Sequence, residues 1–325
     1  MQPTKCSLAL YTNFLIANHN RYSGAELARV APLRNLHHDA VSRWLSSAQF
    51  TPPELWNQVK PIIQKDRGYL VGDDTLLDKR YSRENELAKR QYSGKEHGLV
   101  NGINLVNLLW ADADQIVPVD YRIYQKETDG NTKNDHFRAM LNRAQQRGFS
   151  PLYVLTDSWY SSIDNLKHVT KKGWHFICGL QSNRLVHERQ GPYLPIADLG
   201  LADDEVRKVW LKEYGHVLVC KVVATNGDIA YLATNDLTLT QYAVLTRHWN
   251  HRWDIEEFHR GIKQTTGIEK CYSTIAASQK SHIFAAFTAF IQLEKNRLLT
   301  HMSWYEQKAR ISRMATSHYL IWANA

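Results

Sequence analysis

Residues 249–263, WNHRWDIEEFHRGIK, decide how the fold and the function of this chain are interpreted. At about 100° per residue, a helical strip of roughly 80° would contain five of these side chains: Trp249, Arg252, Glu256, Arg260 and Lys263. One carboxylate therefore lies among cations. This arrangement suits a metal ion beside a phosphodiester, because a carboxylate supplies a hard oxygen ligand and the cations bind flanking phosphates.

The same spacing also occurs on ordinary solvated helices. Arg252 with Glu256, and Glu256 with Arg260, are spaced i,i+4, and such pairs add only about 0.2 to 0.5 kcal/mol each. The strip alone therefore leaves a surface salt-bridge ladder open as an explanation, and other parts of the chain must decide.

Composition indicates a folded protein with a polyanionic partner. The chain has 325 residues, 43% hydrophobic content and a formal net charge of +8, which allow one sizeable core with a smaller module, or two domains. Lys and Arg gain affinity for nucleic acid by releasing counterions. Charge alone does not separate DNA from RNA or from an anionic membrane.

The apolar runs and the cysteines argue against a membrane or a disulfide framework. The longest apolar run, residues 283–293, is about half of the roughly 20 residues that a spanning helix needs. The first 21 residues lack a basic leader and a cleavage site, so we expect mature protein. The four cysteines are widely scattered and form no CxxC pair, which favours a reducing cytoplasm.

Residues 22–46 resemble two short helices around a turn, with the spacing of a helix-turn-helix. The outward side of the second helix would then offer four side chains to DNA: His38, Asp39, Ser42 and Arg43. Two amphipathic helices joined by a turn also occur throughout ordinary helical domains, so both interpretations stay open. We place a domain boundary in the proline-containing segment 51–67, which gives a helical DNA-binding domain at 1–66 and a catalytic domain at 67–325.

The second domain alternates strands and helices. Strands are predicted at 69–73, 100–110, 116–124, 152–156 and 174–180, and helices begin near Asn134 and Ser161. From about 184 to 240 the pattern becomes β alone, and Asn226 with Gly227 gives a strong hairpin signal. A final helix is predicted at 281–300. This order indicates an α/β core with a β-rich insertion before the helix of Glu256.

Three carboxylates stand out by position. Asp74 lies at the end of the first strand in GDDTLLDK, Asp157 at the end of the fourth in VLTDSWY, and Glu256 on the late helix. Their convergence would hold two Mg²⁺ ions for phosphoryl transfer. Asp also commonly ends strands and caps helices, which is the alternative for each. Asp73 competes with Asp74, and only one of the adjacent pair can face a given site.

The series GDDT, LTDSWY and WNHRWDIEEFHRGIK resembles the DDE transposases of prokaryotic insertion sequences. Within them it is similar to the branch with a Tyr-Arg-Glu-Lys signature on the helix of the third acid. Arg252, Glu256 and Lys263 match that signature, whereas Trp249 stands at the Tyr position and keeps a ring and one N–H donor. The resemblance covers about residues 69–300.

The resemblance implies an RNase H-like core and Mg²⁺-dependent cut-and-paste transposition, with two ions that Mn²⁺ can replace. It implies that Asp74, Asp157 and Glu256 bind metal and that Arg252 and Lys263 contact phosphates near the transposon end. The expected partners are double-stranded DNA, as terminal inverted repeats and target, and a second copy of the chain in a homodimer.

The branch also implies hairpin DNA ends with a flipped base stacked on an aromatic side chain. Trp210, in the predicted insertion, is one candidate, because stacking is worth roughly 1 to 3 kcal/mol per base. We prefer the alternative that Trp210 belongs to the strand core. Two other functions stay open for the chain: a transposase-derived DNA-binding regulator without catalysis, and an RNase H-like structure-selective nuclease that cuts but does not join strands.

Overall fold

The computed structural model describes residues 6–31, 35–82, 84–93, 98–113, 115–188 and 191–324. Its helices are α1 (Leu8–Ala17), α2 (Gly24–Val30), α3 (His38–Ser47), α4 (Pro52–Val59), α5 (Lys133–Gln146), α6 (Ile163–Lys171), α7 (Tyr242–Asn250), α8 (Trp253–Thr266), α9 (Ala276–Thr300) and α10 (Trp304–Ala323). Its strands are β1 (Tyr69–Asp78), β2 (Lys89–Ser93), β3 (Gly98–Ala111), β4 (Ile116–Tyr124), β5 (Tyr153–Thr156), β6 (Phe176–Leu180), β7 (Leu185–His187), β8 (Leu194–Pro195), β9 (Val206–Leu211), β10 (Gly215–Val223) and β11 (Ile229–Thr234).

The N-terminal helices pack on the long helix α9. Ser23 caps α2 by accepting the backbone N–H of Glu26 at 3.1 Å. α3 buries Val41, Trp44 and Leu45, and α1, α3 and α4 contact α9. Most of the 25 residues of α9 are apolar or small and many are buried, which makes it the centre of the helical layer. None of the helices in the described part of the chain combines the length and the hydropathy that a membrane crossing requires.

Five strands form the core of a mixed sheet in the order β4-β3-β1-β5-β6. β1 runs parallel to β5, and β5 runs parallel to β6, whereas β3 is antiparallel to both β1 and β4. Every residue of β5 is buried, as is the C-terminal part of β3, so both read as apolar runs rather than as alternating patterns. The arrangement confirms the predicted RNase H-like α/β fold class.

The later strands continue this same sheet. β11 pairs antiparallel with β6, and β10, β9, β7 and β8 follow in that order. The hairpin between β10 and β11 turns at Asn226 and Gly227, where Gly227 has a positive φ of 88° that favours glycine. The β strands between residues 185 and 234 therefore lengthen the core sheet instead of forming a separate one.

The segment 249–263 is not one helix, as we had expected. α7 ends at Asn250 and α8 begins at Trp253. Between them, the His251 ring stacks on Tyr69 of β1 at 4.3 Å, and its Nδ1 lies 3.0 Å from Asp254 Oδ2. These contacts stabilise the break, which leaves Trp249 on a different helix from Glu256.

Two further elements differ from the sequence prediction. α5 begins at Lys133 and is capped by Thr132, which exchanges hydrogen bonds with Asp135 in a capping box; Asn134 therefore lies inside the helix. α10 follows α9 and was not predicted. Only the first part of α10 is buried, through Trp304, Gln307 and Lys308 among the described residues.

Lys308 of α10 connects the N-terminal helices to α8. Its Nζ lies 2.7 to 3.3 Å from five acceptors: the carbonyls of Leu15, Ile16, Asn18 and Thr265 and the hydroxyl of Tyr22. Burial lowers the pKa of Lys308 to about 8. The ammonium group thus satisfies carbonyls at the C-terminal ends of both α1 and α8, which helix geometry leaves without partners.

Replacing Lys308 with Met should destabilise the protein by about 2 to 4 kcal/mol, because buried acceptors that lose their donor each cost roughly 1 to 3 kcal/mol before the structure relaxes. Urea unfolding measures the change. Lys280→Met, at an exposed position of α9, is the matched control and should change the free energy of unfolding little. Equal stability of the two variants would contradict the anchoring role of Lys308.

Candidate functional site

Two aspartates from distant parts of the chain lie side by side on neighbouring strands. Gly72 of β1 pairs in parallel with Thr156, the last residue of β5, so Asp73, the next residue of β1, lies beside Asp157, the first residue after β5. Burial raises the pKa of Asp73 well above its usual value, and the negative charges of Asp157 and Asp74 raise it further, whereas Arg252 opposes the shift. Burial likewise raises the pKa of Asp157. The two carboxylates therefore form one acidic centre.

Asp73 lies on the face of the sheet that α8 covers. Its antiparallel partner on β3 is Asn107, and directly paired residues project from the same face. Asn107 Nδ2 lies 3.0 Å from Nε2 of His259, a buried residue of α8. Burial lowers the pKa of His259 to about 3, so this imidazole is neutral at physiological pH. Asp73, Asn107 and α8 thus share one side of the sheet.

Asp74, the first acid predicted from the sequence, lies on the opposite face, which α5 covers. A Cβ on Gly72, on that same face, would come within 2.3 Å of the Phe137 ring of α5. Both carboxylate oxygens of Asp74 already accept hydrogen bonds. Oδ1 accepts from the Tyr160 hydroxyl at 3.0 Å, and Oδ2 accepts from Lys133 Nζ at 2.7 Å and from an Asn104 amide at 2.9 Å.

Asp157 is held by a tight turn that follows β5. Its Oδ1 accepts the backbone N–H groups of Trp159 at 3.0 Å and Tyr160 at 3.2 Å. Gly179 of β6 lies directly against this turn, because a Cβ at that position would be 2.9 Å from the backbone N of Ser158. The absence of a side chain at Gly179 therefore lets the turn cross the end of the sheet.

Glu256 and Arg252 form an ion pair at the start of α8. Arg252 donates to Glu256 Oε1 at 2.8 Å, and its guanidinium lies over the rings of Trp249 at 5.3 Å and Trp253 at 4.5 Å. The Glu256 side chain is 42% exposed and that of Arg252 only 12%. In the part of the chain that the structure describes, no three His, Cys, Asp or Glu side chains are arranged as a metal-binding group.

The remaining cations of the predicted strip have different environments. Lys263 Nζ donates to the carbonyl of Leu76 on β1 at 2.7 Å and pairs with Glu269 at 3.1 Å. Arg260 lies exposed on α8. Ser42 and Arg43 are exposed on α3, far along the chain from the acidic centre. The remaining predicted DNA contacts are therefore a half-buried lysine bonded to β1 and Glu269, an exposed arginine on α8, and an exposed pair on α3.

Trp210 lies on the same face of the sheet as Asp73. Residues that pair directly on neighbouring strands project from the same face of the sheet. Six such residues connect the Asp73 face of β1 with β9: Val71, Leu155, Ile177, Thr234, Leu218 and Lys208. Trp210 follows Lys208 by two residues on β9 and is 37% exposed. Its ring lies 5.0 Å from His216 and 6.1 Å from His187, beside a cavity of about 920 Å³. The preferred assignment of Trp210 to the strand core is therefore wrong.

Lys133, Tyr160 and Asn107 were not identified from the sequence. Strand alternation did show that Asp73 and Asp74 face opposite ways, but it does not say which face α8 covers. Lys133 and Tyr160 carry no local signal, since their contacts with Asp74 join separate elements.

Family comparisons match most of the chain. A model described as DDE superfamily endonuclease matches residues 4–198, and one described as archaeal putative transposase ISC1217 matches residues 123–296. No curated protein matches.

Solved structures also resemble the chain. A piggyBac transposase synaptic complex with hairpin DNA is 12% identical, with a TM-score of 0.54, over 95% of this chain and 69% of the other. A Drosophila P element transposase strand transfer complex is 12% identical, with a TM-score of 0.29, over 53% of this chain and 37% of the other. The piggyBac likeness supports the fold.

Replacing Asp73 with Asn should stabilise the protein in the absence of metal. The unfolded-state pKa is near 3.8 and the folded-state pKa is higher. Between the two values the native protein binds more protons than the unfolded chain, so wild-type stability falls as pH rises through that window. The Asn variant lacks this loss, so in urea unfolding its stability advantage over the wild type should grow as the pH rises above the unfolded-state pKa of Asp73.

The matched variant Asp74→Asn should have the opposite effect. It removes the charge that pairs with Lys133 and should cost about 1 to 3 kcal/mol at neutral pH. The same urea titrations measure it. Stabilisation by Asp74→Asn together with destabilisation by Asp73→Asn would contradict the two environments described above.

Proposed function

Because the chain belongs to the DDE superfamily endonuclease family and matches an archaeal transposase family over more than half its length, we propose that it moves an insertion sequence by Mg²⁺-dependent DNA cleavage and strand transfer. The observation that carries this proposal is that Asp73 and Asp157 directly follow the paired residues Gly72 and Thr156 of β1 and β5. Two carboxylates that repel each other in a buried setting are relieved by a cation, and carboxylate oxygens are the ligands that Mg²⁺ prefers.

We assign the metal-binding acids as Asp73, Asp157 and Glu256. Asp73 takes the place that the sequence had given to Asp74, because Asp73 shares a face with α8 and both oxygens of Asp74 are already engaged. These acids would hold two Mg²⁺ ions, or Mn²⁺ in their place, and the ions would supply activation of the attacking water or 3′-hydroxyl and stabilisation of the leaving oxygen. We propose that Glu256, partly exposed on α8, completes the set only when metal binds, because the described chain holds no three acids already arranged as a metal-binding group.

The DNA follows the face that carries these acids. Arg252 is braced between two tryptophan rings, which orients its guanidinium beside Glu256 for a phosphate contact. Trp249, at the signature Tyr position, supports Arg252 from α7. Arg260 and Lys263 add positive charge along α8. This grouping is the basis on which we propose the Tyr-Arg-Glu-Lys signature branch, with Trp249 as a functional substitute for Tyr.

The N-terminal helices supply a second DNA contact, at residues 1–66. Ser42 and Arg43 project from the exposed side of α3, opposite the buried Val41 and Trp44. A recognition helix presents its exposed side chains in this way. We propose that this domain binds the terminal inverted repeats, while the catalytic domain at 67–325 binds the cleavage site and the target.

The active complex is proposed to be a homodimer. The outer part of α10 is exposed, and its apolar side chains include Met314, Leu320, Ile321 and Trp322. From residue 314 to 325 the sequence has no Asp, Glu, Lys or Arg. Two copies of a chain with a net charge of +8 can therefore approach through this helix with little repulsion between their charges.

Substitution of the acids tests the proposed chemistry. Asp73→Asn, Asp157→Ala and Glu256→Gln should each lower Mg²⁺-dependent nicking of end-containing DNA by at least about 100-fold, because a metal ion contributes several kcal/mol to such a transition state. Binding in gel-shift assays should change little. Asp164→Asn, on the exposed start of α6, is the control.

The same assay separates the competing functions. Binding by the wild-type protein without Mg²⁺-dependent nicking would favour a DNA-binding regulator. Nicking without joined products would favour a structure-selective nuclease. Normal nicking by Asp73→Asn would refute the assignment of the first acid.

We further propose that the DNA ends pass through hairpins, with a flipped base stacked on Trp210. The hairpin DNA in the piggyBac complex is a property of that protein, and the exposed Trp210 ring between two histidines supports a comparable step here. Trp210→Ala should lower the yield of hairpin ends roughly tenfold or more, the loss expected for one stacked base, while leaving first-strand nicking intact.

Denaturing gels measure both products. Tyr272→Ala, which removes an exposed aromatic side chain from the loop between α8 and α9, is the control for this variant. Hairpin yields that match the wild type in Trp210→Ala would exclude Trp210 as the stacking platform.

A further inference from the structure

Asp74 lies directly behind the acidic centre, on the opposite side of the same strand. It is adjacent to Asp73 in sequence, yet its contacts are all with the α5 side of the sheet: Lys133 of α5, Asn104 of β3 and Tyr160 of the turn after β5. Asp74 and Lys133 are both largely shielded from water, with side-chain exposures of 20% and 18%. A carboxylate with three donors is firmly oriented.

Tyr160 connects this network to Asp157. The Tyr160 hydroxyl donates to Asp74 Oδ1 at 3.0 Å, and the backbone N–H of the same residue donates to Asp157 Oδ1 at 3.2 Å. The ring is fully buried and packs against Phe137 at 5.2 Å. One side chain therefore spans from the back of β1 to the turn that positions the second acid.

The far side of the turn is braced as well. Asn165 of α6 donates to the Tyr160 carbonyl at 2.9 Å and receives a hydrogen bond from Arg138 of α5 at 2.8 Å. Lys133 Nζ lies 5.2 Å from the ring centre of Trp159, the other residue whose N–H reaches Asp157. The turn is thus fixed from both helices.

We propose that Asp74 is a positioning residue, which holds the Asp157 turn through the Tyr160 hydroxyl and so sets the spacing between the two acids of the centre. This inference rests on the proposed function, in which Asp73 and Asp157 bind the metal. Asp74 itself contributes no ligand, because Lys133, Asn104 and Tyr160 occupy its oxygens. Groups that orient metal ligands from behind commonly change metal affinity about 10- to 100-fold when they are removed.

Hydrogen exchange in the metal-free full chain tests the positioning role directly. The amides of Trp159 and Tyr160 should exchange about fivefold faster in Tyr160→Phe and in Asp74→Asn, the factor that corresponds to one net hydrogen bond. Tyr11→Phe is the matched control, because it removes another buried tyrosine hydroxyl, which bonds His282 Nδ1 at 2.9 Å. It should leave exchange in the 157–160 turn unchanged.

Equilibrium binding of Mn²⁺, followed by electron paramagnetic resonance, provides the second measurement. Tyr160→Phe and Asp74→Asn should weaken binding by about tenfold and still saturate, whereas Asp73→Asn should lose it. Exchange and binding that match the wild type in Tyr160→Phe would overturn the proposal. So would complete loss of Mn²⁺ binding in Asp74→Asn with Tyr160→Phe unaffected, since Asp74 would then be a ligand.

The proposed metal site and the proposed positioning role of Asp74 can be refuted separately. If Asp73→Asn retains Mn²⁺ binding and DNA cleavage, the proposed metal site is wrong even when exchange of the turn still responds to Tyr160→Phe. If Asp73→Asn loses both activities but exchange of the turn ignores Tyr160→Phe and Asp74→Asn, the metal site stands and the positioning role is wrong.

Discussion

The parallel pairing of β1 with β5 is the constraint on which the rest of this molecule depends. It is a non-local contact, and its register alone brings Asp73 beside Asp157. Both strands are apolar and buried where they pair, so hydrophobic burial stabilises a register that places two like charges together. Burial raises the pKa of Asp73, and the negative charge of Asp157 raises it further. The repulsion between these two carboxylates lowers the free energy of unfolding, and such a cost is common at functional sites.

Strand alternation then divides the neighbouring acids between two environments. Asp73 lies on the α8 side of the sheet with Asn107 and His259. Asp74 lies on the α5 side and forms an ion pair with Lys133. Because successive side chains project to opposite faces, neither residue can exchange its surroundings without a shift of the whole strand. Because their side chains alternate, Asp73 belongs to the acidic centre, whereas Asp74 lies on the opposite face, where we propose that it is a positioning residue.

The fold was largely predictable because its strong signals are local. The strand at 116–124 coincides with β4, and the Asn-Gly turn lies where the hairpin was expected. The break at His251 was not predictable, since helical periodicity continues across it and the stacking partner Tyr69 is distant in sequence. α10 was not predicted because its sequence has no continuous apolar face. Half of this helix packs against no other part of the described chain.

The candidate site was predictable in its residue types but not in its geometry. Asp157 and Glu256 stand out from their positions, yet the choice between Asp73 and Asp74 requires knowing which helix covers which face. That information resides in tertiary contacts such as Asn107 with His259 and Gly72 against Phe137. The sequence analysis wrongly favoured the core for Trp210, because β propensity does not distinguish a buried strand position from an exposed one.

The continuity of the sheet fixes where Trp210 lies relative to the two acids. From β1 to β9 there are five strand steps, or about 24 Å at the usual strand spacing. Along that distance the acid-bearing face is covered by α7 over β5 and β6, and it becomes exposed again at Trp210, with Lys208 and His216 beside it. On the other face of β9, Val209 and Leu211 are buried. The acids and Trp210 therefore lie on one side of the sheet, and under the proposed function a DNA end that reaches both would pass over α7 rather than around the edge of the sheet.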